Sequence, residues 1–360
     1  MGNKTPGGLT ARQAAAICFV SLLPPATRLL PGLCAGLSGR AAWLCPLAAL
    51  PLLLLTAWLF GRLCSRAAGD ENLAGLIRRG LGPRAGGLVL ILYALWLAFY
   101  AGFSLRSSAS RFIYTIYPGA PPWPFIASGL VMGLIAALSR TRALARASEL
   151  FRWLLLLALV PILLLGILEM DIKSLGPVYL SDVPGVLEGS LPALGAGAFL
   201  IVNIGFLDRG VSRFRRGRFC AFACLLMALI VAVTVGRFGA ELTGQLTYPF
   251  FALVRNTSVF GVTERIEALV TALWVFSDFV LFTFSLSAAA GCLALALGAA
   301  GGRWTIWLCT ALAAVTAVFI APDSTSLKLV SELIAPGLNL IMLYGLILPA
   351  LLIGRLRGKT

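Results

Sequence analysis

The chain has 360 residues, 59% of them hydrophobic and only 12% charged, with a mean hydropathy of +0.95. Such a composition excludes a string of water-soluble domains and fits an integral membrane protein. Its 29 Lys and Arg outnumber 14 Asp and Glu, for a net charge of +15, yet the basic residues flank apolar runs instead of sharing one face. The excess is therefore a topology signal and not a nucleic-acid footprint. The absence of histidine removes Ser-His-Asp triads, His-bearing zinc sites and imidazole-ligated haem, so the sequence predicts no enzyme, no metal and no cofactor.

A helix crosses the hydrocarbon core with roughly 20 apolar residues. In chain order ten segments meet that rule: Ala11 to Leu37, Ala41 to Leu63, Gly87 to Ser107, Trp123 to Leu138, Phe151 to Leu168, Ser190 to Leu207, Phe219 to Val235, Ala268 to Leu297, Trp304 to Ile320 and Pro336 to Ile353. With the amino terminus inside, 20 of the 29 basic residues and only 4 of the 14 acids fall on the inner side. That alternation predicts an even number of crossings with both termini in the cytoplasm. Residues 1–10 form an inner tail, 11–354 one transmembrane domain, and 355–360 a basic inner tail. Lys4 and Arg12 before the first apolar run also fit a signal peptide, but the run is long for one, and its removal would leave an odd count. The 8 cysteines are dispersed without a CxxC pair and behave as small hydrophobes.

Two crossings carry helix-breaking chemistry. Span one contains Leu23-Pro24-Pro25-Ala26-Thr27-Arg28-Leu29-Leu30-Pro31-Gly32, which predicts two half-helices, because proline lacks the amide hydrogen and crowds the preceding turn. Span six opens Gly189-Ser190-Leu191-Pro192-Ala193-Leu194-Gly195-Ala196-Gly197, and either a break or close helix packing explains its glycines. Spans one and six hold matching places in two five-helix halves, about 11–168 and 190–320 with a last helix at 336–353. Paired interruptions of this kind point to an all-α 5+5 inverted repeat with broken helices 1 and 6 and a ligand site near the midplane. Main-chain dipoles at Pro25, Ala26, Thr27, Gly195 and Gly197 would then suit a zwitterion.

Charged side chains inside a bilayer are expensive and face a partner or a wet cavity. Arg28 has two readings: it holds a ligand carboxylate or an opposing acid, or it snorkels outward. Asp278 in span eight could pair with Arg28, relay a proton, bind a cation, or lie at the interface. Ser277 and Ser285 share one side of the same helix, and either coordinate a cation or bond to backbone. Tyr93, Trp96 and Tyr100 share a face of span three, as a pocket wall or as packing and anchoring. The stretches Ile172 to Val178 and Tyr248 to Arg255 read as re-entrant or interfacial.

The order of several motifs resembles one family, the B-type (GerAB-type) subunits of bacterial spore germinant receptors, relatives of amino acid permeases in the amino acid-polyamine-organocation superfamily. They are the broken first span with Leu30-Pro31, Arg146-Ala147-Ser148-Glu149, Leu175-Gly176-Pro177-Val178 before the Gly-rich sixth span, and Tyr248-Pro249 through Arg255 to Glu264-Arg265-Ile266-Glu267 before Trp274. The resemblance implies a LeuT-like fold of ten helices in the inner membrane of an endospore, sensing a small nutrient, commonly an amino acid, with an A-type membrane protein and a C-type lipoprotein as partners. Two departures stand near the ligand path. Val202-Asn203-Ile204-Gly205 replaces a Gly-Glu pair, and Asp278 to Leu281 replaces a common Lys, so ligand identity does not transfer. A ligand would touch Pro25, Ala26, Thr27, Arg28, Tyr93, Tyr100, Gly195, Gly197, Asn203, Ser277, Asp278 and Ser285. A secondary amino acid transporter coupled to a proton or cation would use the same pocket.

Overall fold

Without water each backbone amide and carbonyl must find its partner within the segment, and apolar runs can do so only as helices. The computed structural model describes residues 8–64, 71–139, 141–207, 214–256, 263–298, 303–320 and 324–357, and regular structure among them is entirely helical. The α-helices are α1 (Ala11–Arg28), α2 (Leu30–Ser38), α3 (Leu44–Ala48), α4 (Leu50–Cys64), α5 (Leu73–Leu81), α6 (Pro83–Thr115), α7 (Trp123–Leu138), α8 (Thr141–Glu169) and α9 (Val183–Leu207). They continue with α10 (Arg216–Phe238), α11 (Ala240–Gln245), α12 (Pro249–Asn256), α13 (Thr263–Ala296), α14 (Trp304–Phe319), α15 (Ser324–Leu329), α16 (Ala335–Leu340) and α17 (Leu348–Leu356).

The described helices follow the ten predicted crossings: α1 with α2, α3 with α4, α6, α7, α8, α9, α10, α13, α14, and the run from α15 to α17. Leu30–Leu63 is one helical run of 34 residues, which if straight would reach about 51 Å, well beyond the hydrocarbon core of about 30 Å. Gly39 divides it with a φ of 55°, a left-handed conformation that favours glycine. Part of the predicted inner charge, including Arg66, Asp70, Arg140, Asp208 and Arg209, lies outside the described residues. Arg12 at the start of α1 pairs with Glu149 at 3.3 Å, which joins span one to the start of α8.

Span one is divided, but not at its double proline. Helix α1 runs through Pro24 and Pro25 to Arg28, and the interruption falls at Leu29, itself in right-handed helical conformation. Proline's fixed φ fits a helix; what it removes is a donor. Pro31 sits in the first turn of α2, where a missing amide leaves no bond unmade. The Val20 carbonyl, four residues before Pro24, instead accepts the Ser277 hydroxyl at 2.5 Å. Span six corrects the expectation more fully, since α9 is one helix from Val183 to Leu207 with Pro192 inside it. Its glycines serve close packing: a Cβ at Gly185 would lie 2.2 Å from the Leu37 carbonyl oxygen, and one at Gly189 2.6 Å from Cys45 Sγ. Unwinding would forfeit those contacts.

Helix α6 packs along α13 more extensively than any other described pair, and α1 lies against α8 and α13. Helix α9 is the most enclosed crossing and α8 among the least; Leu157 of α8 is 74% exposed, as a lipid-facing side chain should be. The seven cysteines whose side chains are described are free and buried. Of the two segments left open in sequence, 172–175 forms a 3-10 turn, held by Arg40 Nη1 donating to Gly176 O at 2.9 Å and Trp43 Nε1 to Leu175 O at 3.3 Å. Helix α12 turns inward and buries Phe250, Phe251, Leu253 and Val254.

Candidate functional site

Three groups of polar residues lie within the bundle. The first is a buried seam between spans one, three and eight. Ser277 donates to the carbonyl freed by Pro24, and Trp274 Nε1 donates to Thr27 Oγ1 at 3.0 Å, whose hydroxyl donates in turn to Leu23 O at 2.8 Å. One residue on from Ser277, Asp278 Oδ2 accepts Ser108 Oγ at 2.7 Å and forms an ion pair with Arg111 Nη2. Both charged residues are buried. Asp278 Oδ1 and Arg111 Nε and Nη1 have no protein hydrogen-bond partner, so the pair is only half satisfied, the arrangement in which losing either member is most damaging. The Arg111 guanidinium also lies over the Phe251 ring, 5.0 Å from its centroid.

The second group ties span three to spans six and ten. Tyr93 donates to Asn203 Oδ1 at 3.0 Å, Asn203 Nδ2 donates to Phe199 O at 2.9 Å, and Trp96 Nε1 donates to Asn339 Oδ1 at 3.1 Å. Tyr100 packs on Phe199 with ring centroids 4.4 Å apart. A Cβ on Gly195 would lie 3.3 Å from Pro336 O, and one on Gly197 2.9 Å from the Leu53 methyls. These contacts pack span six closely against spans two and ten.

The third group surrounds a cavity of about 190 Å³, the space of about six waters. Arg28, Leu29 and Gly32 line it where span one is interrupted; Ser107, Ser110 and Tyr114 come from α6. The 244–249 link between α11 and α12 and Leu327, Lys328, Ser331 and Glu332 of span ten complete it. Arg28 stacks on Phe103 at 5.4 Å from the ring centroid, and its buried Nε has no hydrogen-bond partner. Ser107 Oγ is likewise buried and unpartnered. Lys328 and Glu332 face each other at 3.8 Å. Tyr114 and Tyr248 meet edge to face at 5.3 Å. Burial pushes the Tyr248 hydroxyl up, while the charges of Arg28, Arg111 and Arg106 pull it back.

A family model described as spore germination protein matches residues 8–325, which is most of the chain. The chain belongs to the spore germination protein family. It is therefore a multi-pass membrane protein of the germinant receptor and permease type. YfkT of Bacillus subtilis (strain 168), whose name carries a provisional assignment to spore germination, is 22% identical over 242 residues, 65% of this chain and 65% of YfkT. The match thus spans just under two thirds of that relative. Among solved structures, the nucleobase-cation-symport-1 family transporter Mhp1, in a closed conformation with bromovinylhydantoin bound, superposes with a TM-score of 0.61 at 16% identity. It covers 92% of this chain and 76% of Mhp1. That likeness establishes the fold: a LeuT-like inverted repeat.

Nine of the twelve residues expected on one ligand path divide among the three groups, and Pro25, Ala26 and Ser285 belong to none of them. Arg28 reaches the cavity, whereas Thr27, Ser277 and Asp278 lie in the seam and Tyr93, Tyr100, Asn203, Gly195 and Gly197 in the second group. Pro25 and Ala26 are buried in α1. Ser285 bonds to its own helix through Leu281 O at 2.8 Å. An Arg28–Asp278 pair does not form, because Arg111 reaches the acid first from the neighbouring helix. Sequence reasoning missed Arg111, Ser107 and Glu332. The cluster Arg106-Ser107-Ser108-Ala109-Ser110-Arg111 was the available signal for the first two, a polar run continuous with an apolar helix. The side chains of the Glu264 to Glu267 motif lie outside the described residues.

Proposed function

We propose that the chain is the ligand-sensing B-type subunit of a spore germinant receptor. A small nutrient, an amino acid in this reading, enters from the face opposite the termini and binds in the Arg28 cavity. Its binding biases the packing of spans one, three and ten, and A-type and C-type subunits in the spore inner membrane read the change; the reading includes no catalytic step. A ligand can shift such an equilibrium only through different affinities for the two arrangements. One observation carries the proposal: an intramembrane arginine, without a carboxylate partner among the described residues, faces a small cavity where its helix is interrupted. Spores carrying Arg28→Gln should lose germination to the cognate nutrient and keep germination triggered downstream of receptors. Equal responses in both spores would reject the assignment.

The transporter-like fold favours a second reading, an amino acid carrier driven by a proton or cation gradient. Purified protein in liposomes separates the two. Sustained accumulation that collapses with the gradient marks a carrier; saturable binding without accumulation marks a sensor.

A further inference from the structure

We propose that the Arg28 cavity selects solutes with net negative charge, acidic amino acids and small dicarboxylates, over neutral zwitterions and cationic amino acids. The inference rests on the cavity being the ligand site, and it goes beyond that reading by assigning a charge class. Among the described residues, the charged ones lining the cavity are Arg28, Lys328 and Glu332. The last two face each other, so the single lining acid among the described residues is already matched. Arg28 is the cation left over, with a buried Nε lacking a partner and a guanidinium face shielded by Phe103. Behind it Arg111 is matched by Asp278 and contributes no compensating negative charge.

A neutral zwitterion brings equal charges of both signs and leaves that excess in place. A dicarboxylic amino acid cancels it: one carboxylate takes Arg28 and the buried, unpartnered Ser107 hydroxyl, and Glu332 accepts from the ammonium. A lysine-like ligand adds to the excess. In a site partly removed from water these differences are large, because the screening that flattens them at a surface is weak. The volume of about 190 Å³ accommodates a four- or five-carbon acid.

The test follows thermal melting of the full chain in detergent against L-aspartate, succinate, L-alanine and L-lysine at constant ionic strength. L-Aspartate and succinate are expected to raise the midpoint at concentrations about tenfold below L-alanine, the scale of one charge-assisted hydrogen bond, and L-lysine to leave it unchanged. Arg28→Gln removes the preference. Glu332→Gln, which deletes the lining acid, tightens succinate. L-Alanine matching or exceeding L-aspartate would overturn the charge selection and leave amino acid sensing standing. A preference that survives Arg28→Gln, or weaker succinate binding in Glu332→Gln, overturns it as well. No shift with any of the four solutes rejects both this selection and the cavity as an amino acid site.

Discussion

Spans one and six occupy equivalent places in the two halves of the fold, and both contain proline, yet they use it differently. In span one the carbonyl released by Pro24 is taken by a hydroxyl from span eight, and the helix is interrupted one turn later beside a cavity. In span six Pro192 is absorbed into an unbroken helix whose glycines let other backbones approach. The residue type is the same, and what surrounds it differs. A donorless position becomes a site only where a neighbouring helix supplies a polar partner or where space is left; against a close-packed wall it is simply tolerated.

The largest test of this contrast targets the ion pair that fixes spans three and eight around span one. Arg111→Ala should cost about 3–5 kcal/mol, because it strands Asp278 in the bundle; combining it with Asp278→Leu should recover most of that in a reversible unfolding titration. For span six the corresponding test is Gly185→Ala. Its new methyl meets the Leu37 carbonyl oxygen, and a loss of about 1–3 kcal/mol is expected; a neutral result would show that α2 and α9 are not in tight contact. Smaller is Ser277→Ala, worth about 1 kcal/mol for the hydrogen bond to Val20 O, read as a lowered melting midpoint. Pro192→Ala should be smallest, neutral or slightly stabilising, since it returns a backbone donor to α9. A marked loss there would restore a break in span six.

Much of the architecture was legible from the distribution of apolar runs, because lipid leaves so few ways to satisfy a backbone. The helical segments and their order follow from that constraint, whereas the division of span one falls at Leu29 and not at the prolines that suggested it. What escaped lies at the polar ends of crossings. The apolar run of span three ends at Ser107, but α6 continues to Thr115 and carries Arg111; that of span ten starts at Pro336, but the described helix already includes Ser324 and carries Glu332. Hydropathy falls where a helix gathers polar side chains, so an apolar-run rule trims away the residues that build a site. Asp278 was correctly marked as anomalous, while its partner depended on the lateral packing of α6 on α13, which no local pattern encodes. Pro192 was overread for a related reason, because a helix wall made of glycine looks like a broken helix until its neighbour is known.

The bond from Ser277 to Val20 has a thermodynamic corollary. Hydrocarbon offers neither group a substitute, so parting these two crossings leaves a stranded hydroxyl and a stranded carbonyl unless solvent follows. Wetting is thus a condition of their separation, and the depth to which water penetrates from the Arg28 side sets how far the bundle can open.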